Sequence, residues 1–205
     1  MYIPPFFKIE DAQLMYEVIS EFSFATLISQ HNGMPFATHL PLFLDDTNSL
    51  LYGHFARANS HWKDIVGQPV LAIFHGPHSY ISSSWYETKD AVPTWNYVTV
   101  HAYGEIKLME DADEIKASLH TLIDKYELPT TSYSIEDVDD KYLAGLNKGI
   151  IPFKLQITKL DGKAKLSQNH PKERQQLVID NLRARGDDFD TRIANYMEND
   201  TFTKK

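Results

Sequence analysis

The segment from Tyr52 to Asn59, Tyr-Gly-His-Phe-Ala-Arg-Ala-Asn, has the residue types of an anion-binding site. It begins in an apolar strand and passes into small and polar residues, where Asn59 and Ser60 can cap a short helix. Arg57 puts a fixed positive charge beside the free N–H groups and favourable dipole of that helix N-terminus. A phosphate group suits this place. The alternative is that Arg57 pairs with a surface carboxylate, and this stretch alone does not decide between the two.

A second stretch, Pro93-Thr-Trp-Asn-Tyr97, combines a rigid turn, two large rings and two short polar groups. This mixture lines pockets for planar ligands that form hydrogen bonds, and Trp85-Tyr86 adds aromatic surface. The alternative is that Trp95 and Tyr97 fill the end of a barrel as core residues. Asn96 fits that alternative less well.

A third stretch, Lys163 to Asn169, is a basic and amide-rich segment that follows the last predicted strand. Here the alternative to a binding role is an ordinary solvated loop.

Several common chemistries find no support in the sequence. There is no GxGxxG motif, and neither Gly145 nor Gly149 is followed by the Lys-Ser/Thr of a phosphate-binding loop. Ser82-Ser83-Ser84 lies on a predicted strand and lacks the glycine frame of a nucleophile elbow. The chain has no cysteine, so disulfides, thiol nucleophiles and cysteine-bound metals are excluded.

Histidines are frequent near the predicted strands, at His39, His54, His75, His78 and His101. Three of them could form a metal site in a barrel. Because there is no HExxH motif and the carboxylates are scattered on helices, we expect no metal and interpret these histidines as hydrogen-bonded wall residues.

Hydrophobic periodicity predicts a strand-rich body followed by a helical end. Asp11 opens a helical pattern, and Asn32-Gly33 predicts a hairpin turn that begins a three-strand meander. Strands are predicted at residues 24–29, 35–44, 49–55, 69–74, 78–86, 98–109 and 149–160, the last turning at Asp161-Gly162. Further helices are predicted from Asp111 or Asp113, over 139–146 and over 171–199, with a break at Gly186. The sequence thus predicts a mainly β fold with flanking helices (α+β): a barrel domain over 1–165, including the N-terminal helix and the 111–146 helices, and a C-terminal helical extension over 166–205.

The net charge of −8 conceals an uneven distribution. Residues 1–140 hold 7 Lys+Arg against 20 Asp+Glu, whereas residues 141–205 hold 13 against 8. Such a division is typical of a basic segment that contacts nucleic acid or of two surfaces that attract each other in a dimer. The N-terminus lacks a signal-peptide pattern and no apolar run approaches about 18 residues, so we expect a cytoplasmic protein with no membrane contact.

Four motifs together closely resemble the PaiB family, whose members are described as FMN-binding negative transcriptional regulators of degradative-enzyme (protease) synthesis and sporulation. These motifs are Gly53-His54-x-Ala56-Arg57-Ala58-Asn59, Tyr80-Ile81-Ser82-x-Ser84-Trp85-Tyr86, Val92-Pro93-Thr94-Trp95-Asn96-Tyr97 and Lys165-Leu166-Ser167-Gln168-Asn169. The resemblance extends from Tyr2 to about Leu182 with the same order and spacing.

The resemblance implies an FMN-binding split β-barrel of the pyridoxamine-phosphate-oxidase type, with a C-terminal helical segment, that works as a homodimer. By the same resemblance, FMN phosphate would be held by His54, Arg57, Ala58 and Asn59. The isoalloxazine ring would be flanked by Thr38, His39 and Leu40, and its polar edge would meet Trp95 and Asn96. Lys165 and Gln168 would reach in from the partner chain.

Three functions remain open at this point. The resemblance implies a repressor, although the second half of 171–199 is acidic and a poor DNA reader, so direct DNA contact is weakly supported. The alternative is an FMN-dependent oxidoreductase with an indirect regulatory effect, for which His54 and His101 are candidate acid–base groups. The third is a scaffold that has lost flavin.

Overall fold

A computed structural model describes residues 1–127, 131, 145 and 148–202. Apart from Gly145, the helix predicted over 139–146 lies outside this part of the chain. The described residues form a mostly antiparallel sheet with flanking helices, as the sequence predicts. No helix among them is long and apolar enough to cross a membrane.

The strands are β1 Lys8–Ile9, β2 Phe24–His31, β3 Met34–Pro41, β4 Phe43–Leu44, β5 Leu50–Ala56, β6 Pro69–Ile81, β7 Thr94–Leu108 and β8 Ile150–Lys165. The helices are α1 Ala12–Glu21, α2 Ala112–Tyr126, α3 Lys172–Arg185 and α4 Asp188–Glu198, with short 3-10 turns at Pro5–Phe7, Ser60–Lys63 and Ser83–Trp85. The strand order in the sheet is β3-β2-β6-β7-β8-β5-β4, and β1 pairs with β8.

The chain divides into two compact units. The first unit contains Met1–Phe22, Ile73–His101 and Leu160–Lys205, and the second contains Ser23–Ala72 and Ala102–Lys159. The division into a barrel over 1–165 and an extension over 166–205 stays a prediction.

In the second unit, β2 and β3 form the hairpin that Asn32-Gly33 predicts. Asn32 and Gly33 both have positive φ, at 53° and 75°, which is the geometry of a tight hairpin turn. The register pairs Leu27 with Thr38 and Ala25 with Leu40, so it sets the positions of two predicted site residues.

The predicted meander is confirmed only in part at its third strand. β5 pairs antiparallel with β4, the end of the predicted strand 35–44, but its longer pairing is with β8, from Leu50 opposite Gln156 to Ala56 opposite Ile150. The periodicity of β5 predicts a strand but does not predict its partner. Only long-range packing selects β8. Consequently, the segment that ends in Arg57 lies beside the start of β8, since Arg57 N donates to Gly149 O.

In the first unit, β8 does not turn at Asp161-Gly162 as predicted but continues to Lys165. Gly162 pairs with Ile9 of β1, and a Cβ at this position would lie 2.7 Å from the side chain of Met15. The glycine therefore permits α1 to approach the strand closely. Asp11 caps α1, as predicted, by accepting a hydrogen bond from Gln13 N.

Strand β6 also differs from its predicted bounds. Residues 69–74 and 78–86 are not two strands, because β6 runs without a break from Pro69 to Ile81 and residues 83–85 form a 3-10 turn. Ser82 caps this turn by accepting from Ser84 N.

The C-terminal helices α3 and α4 pack against each other within the first unit, and Gly186 separates them in a left-handed conformation with φ of 77°. This matches the predicted break. The first unit buries apolar side chains that include Ile19, Phe74, Val100, Val178, Leu182 and Ile193. The core of the second unit includes Leu27, Leu51, Phe55, Ile65, Phe153 and Leu155.

Candidate functional site

The junction after β5 in the second unit contains a closed polar network around Asn59. Its Oδ1 accepts from His61 N at 3.0 Å and caps the 3-10 turn, as predicted, while its Nδ2 donates to Thr38 Oγ1 at 3.0 Å. A single amide therefore fixes the turn against β3. Thr38 and Asn59, which the family resemblance places in the cofactor site, are brought together directly.

His61 completes this network, and sequence reasoning missed it. The ring is fully buried, with Nε2 2.7 Å from Ser29 Oγ and Nδ1 2.8 Å from Thr38 Oγ1. Burial, followed by the nearby His31, lowers the pKa of His61 below its usual value. His61 thus holds the turn in place as a neutral ring.

Arg57 is exposed and is fixed by backbone carbonyl groups instead of by an acid. Its Nε donates to Lys148 O and its Nη2 to Ile150 O, at 2.5 and 3.1 Å. A guanidinium has five N–H donors, so three donors of Arg57 remain outside these two bonds. Within the described residues Arg57 forms no ion pair, so the alternative of a surface salt bridge receives no support there.

The remaining predicted residues of this unit differ in exposure. His54 is half-buried on β5, and burial lowers its pKa, so it is a neutral ring at pH 7. Leu40 is buried at the end of β3, whereas His39 and Ala58 are exposed.

These features fit the phosphate end of FMN. A full positive charge is exposed, rigidly held and not neutralised by an acid in the described part of the chain. The carbonyl groups that hold it also orient the guanidinium plane, which is a geometry suited to a phosphate.

In the first unit, Lys165 is a half-buried cation at the end of β8. Its Nζ donates to Thr94 Oγ1 at 2.6 Å and to Trp95 O at 2.7 Å, and among the described residues it has no carboxylate partner. Burial, then the charge of Lys163, lowers the pKa of Lys165. Lys163 is itself buried between the rings of Tyr2 and Tyr97, 5.5 and 5.2 Å from their centroids.

A cavity of about 420 Å³ opens beside Lys165. Its polar wall includes Tyr86, Thr94, His170 and Arg174. The stretch that begins at Lys163 is therefore not an ordinary solvated loop, because it forms the end of β8 and one wall of a cavity.

Asn96 and Gln168 use their amides inside the protein. Asn96 is fully buried, and its Nδ2 donates to Ser167 Oγ at 3.0 Å and approaches Met197 Sδ. Gln168 accepts from Leu166 N and donates to Ala164 O, which closes the bend after β8. Trp95, by contrast, is 52% exposed, which does not fit a core residue.

A larger cavity of about 620 Å³ lies elsewhere in the first unit, lined by β6 and β7. Its wall includes His75, His78, His101, Trp95 and Tyr97. Three of the five strand histidines thus share one cavity. In the described part of the chain, no group of three or more His, Asp or Glu side chains could hold a metal ion.

The cations of α3 and α4 are all engaged by acids. Their ion pairs, within the first unit, are Lys172–Asp200, Arg174–Glu87, Arg183–Glu198, Arg185–Asp190 and Arg192 with Glu21 and Asp188. The cations of α3 and α4 are therefore paired with acids where the sequence alone suggests a basic surface.

Two of the solved structures with the same fold are named for a flavin. The flavocytochrome of Azotobacter vinelandii superimposes with a TM-score of 0.63 at 16% identity, over 80% of this chain and 72% of that chain. The FAD and heme binding protein of Mycobacterium smegmatis gives a TM-score of 0.60 at 15% identity, over 77% and 73%. The fold is thus one that flavin-binding proteins use.

The sequence comparisons define the family. Residues 1–159 match the family model described as "Putative FMN-binding domain". The protease synthase and sporulation protein PAI 2 of Bacillus subtilis is 37% identical over 202 residues, 97% of each chain. The chain belongs to this FMN-binding family, and the resemblance to the PaiB family is confirmed. FMN is accordingly its cofactor.

Proposed function

We propose that this chain is an FMN-binding regulatory protein that lowers the expression of degradative-enzyme (protease) and sporulation genes, as a cytoplasmic homodimer. The observation that carries the proposal is the 37% identity over 97% of both chains to a protein named for protease synthesis and sporulation. Identity over the whole length, including the C-terminal helices, supports a shared role beyond the shared cofactor.

In this proposal Arg57 binds the FMN phosphate, and His54, Ala58 and the Asn59 turn shape its surroundings. Thr38, His39 and Leu40 flank the isoalloxazine ring. We assign Trp95 to the polar edge of the ring and Lys165 to the cavity of about 420 Å³ at the end of β8. Asn96 and Gln168 position these groups without touching FMN, because their amides are bonded to Ser167 and to the backbone.

The ion pairs of the C-terminal helices favour an indirect route to repression. A DNA-binding surface needs Lys and Arg side chains that are available to phosphates. Because each described cation of α3 and α4 is paired with an acid, we propose that these helices do not dock on DNA. Regulation would then depend on a partner protein or on the state of the flavin.

Two measurements test the proposal. The absorption spectrum of protein purified without added cofactor should show flavin bands. Fluorescence anisotropy with its own regulatory DNA should show only weak binding that disappears at physiological salt. Absence of flavin after incubation with FMN would contradict the cofactor role, and saturable, sequence-selective DNA binding would contradict the indirect route.

A second candidate is an FMN-dependent oxidoreductase whose regulatory effect is indirect. The cavity of about 620 Å³ favours it, because histidines and exposed aromatic rings could receive a substrate there. Turnover of NADPH with flavin or quinone acceptors is the direct assay. A reconstituted protein with no activity over a broad acceptor panel would exclude this candidate.

A further inference from the structure

The cavity beside Lys165 is lined by two cations, Lys165 and Arg174, by one acid, Asp90, and by the hydroxyl of Tyr86. The Tyr86 hydroxyl is shielded from solvent, and its oxygen forms no hydrogen bond with any described residue. A buried hydroxyl without a partner costs about 1–3 kcal/mol. A ligand that accepts a hydrogen bond would recover this cost.

The charge of the cavity also favours an anionic ligand. Lys165 donates only to neutral oxygens, so its positive charge is half-buried without a described counter-ion. Burying an unpaired charge is unfavourable. The same burial also lowers the pKa of Lys165.

Arg174 contributes a second cation to the wall of this cavity. Its guanidinium stacks on the Tyr86 ring at 5.0 Å and donates through Nε and Nη2 to Glu87, which leaves Nη1 without a described acceptor. Arg174 belongs to the first turn of α3, whose N-terminus has no side-chain cap. Uncapped N–H groups and the helix dipole both favour an anion near this end.

The apolar part of the wall limits the rest of the ligand. Phe7 and Val92 line the same cavity, and a volume of about 420 Å³ exceeds what a bare inorganic ion requires. An organic molecule with one anionic group and a small apolar body would satisfy the hydroxyl, the two cations and the apolar wall together.

We propose that this cavity is a second binding site, separate from that of FMN, for a small organic oxyanion. Its charged group, a carboxylate or a phosphate monoester, accepts hydrogen bonds from Tyr86 Oη, Lys165 Nζ and Arg174 Nη1. The site would give an FMN-binding regulator a small-molecule input.

The test is a calorimetric titration of the full chain saturated with FMN. Benzoate represents carboxylates and phenyl phosphate represents phosphate monoesters. At least one probe should bind saturably. Tyr86→Phe should weaken its binding about fivefold and Arg174→Gln about tenfold, because they remove a neutral and a charge-assisted hydrogen bond.

Glu87→Gln is the decisive variant because it should strengthen probe binding, whereas Tyr86→Phe and Arg174→Gln should weaken it. It removes the competing carboxylate from Arg174 and should tighten probe binding, which a variant that merely fails to fold cannot do. Tyr52→Phe and Arg183→Gln, matched substitutions outside the cavity, should leave the affinity unchanged.

Three results would overturn the proposal: saturation by neither probe, affinities indifferent to the three cavity substitutions, or probe binding to the FMN-free chain that added FMN displaces. The last would show that the cavity is part of the flavin site. If the chain takes up no FMN, the proposed function fails, and the same titration on the FMN-free chain still decides this proposal.

Discussion

The cations of the C-terminal helices and the cations at the strand ends are held by different acceptors. On α3 and α4 each described Lys or Arg faces a carboxylate. Arg57, Lys163 and Lys165 instead face carbonyl groups, hydroxyls and aromatic rings. In the sequence, all of these cations except Arg57 belong to one basic segment. In the structure they form two groups, one paired with carboxylates and one held by neutral groups.

The difference indicates where an anionic ligand can bind. A cation paired with an acid gains little from a second anion, whereas a cation held only by neutral oxygens keeps most of its charge for a ligand. We therefore expect most helix cations to determine stability and the strand-end cations to determine binding. Arg174 is the exception, because its Nη1 takes no part in the pair with Glu87.

The largest effect on stability should come from Asp190. It is buried, and its carboxylate pairs with Arg185 and accepts from Ser79 Oγ at 2.6 Å. Asp190→Ala leaves the guanidinium and the hydroxyl without their acceptor, which should lower the free energy of unfolding by about 3 kcal/mol. Urea unfolding measures this loss, with the exposed Asp188→Ala as the matched control that should change little.

The same carboxylate gives a pH dependence. The Arg185 guanidinium lowers the pKa of Asp190 below its usual value, so the folded state binds this proton less readily than the unfolded state. The stabilisation is complete above about pH 4 and is lost as the pH falls through the folded-state pKa. Unfolding free energies of wild type and Asp190→Asn should converge in acid. A constant difference from pH 7 to pH 2 would contradict this role.

His61 should cause a smaller loss of stability in mild acid. Burial lowers its pKa, so the unfolded state takes up the proton first as the pH falls below about 6.5. The free energy of unfolding should therefore decrease towards pH 5, by up to about 1.4 kcal/mol per pH unit for this one proton. His61→Gln keeps a neutral polar side chain and should reduce the slope of the unfolding free energy against pH. An unchanged slope would show that other histidines cause the pH dependence.

The smallest effect should be that of Arg183→Gln. Arg183 and Glu198 are 44% and 47% exposed, and ion pairs of this kind contribute about 0–1 kcal/mol. Urea unfolding should detect a change below 1 kcal/mol. A loss as large as that of Asp190→Ala would show that exposure is a poor guide to the role of these pairs.

Local features of this fold could be predicted from sequence, because each depends on neighbours along the chain. The Asn32-Gly33 turn, the Asp11 and Asn59 caps and the break at Gly186 are examples. Strand pairings between residues that are far apart in the sequence could not be predicted. The choice of β8 as the partner of β5 depends on tertiary packing.

The same limit applies to the candidate site. Arg57 was identifiable from its place at a strand end, but the carbonyl groups that hold it belong to residues 148 and 150. The burial of Asn96 against Ser167 and the acids beside each helix cation likewise arise only after folding. Composition therefore indicates a basic C-terminal segment, and only the structure shows that the cations of its two helices are paired with acids.

The central claim is that FMN binding depends on a cation without a carboxylate partner, and FMN titration of Arg57→Ala and Arg183→Ala tests it most directly. Quenching of flavin fluorescence gives the affinity, and gel filtration checks that both variants keep the oligomeric state of wild type. Loss of charged hydrogen bonds to phosphate should weaken Arg57→Ala about 100-fold, to undetectable binding at micromolar FMN, while Arg183→Ala stays within about twofold. Wild-type affinity in Arg57→Ala, or equal losses in both variants, would contradict the claim.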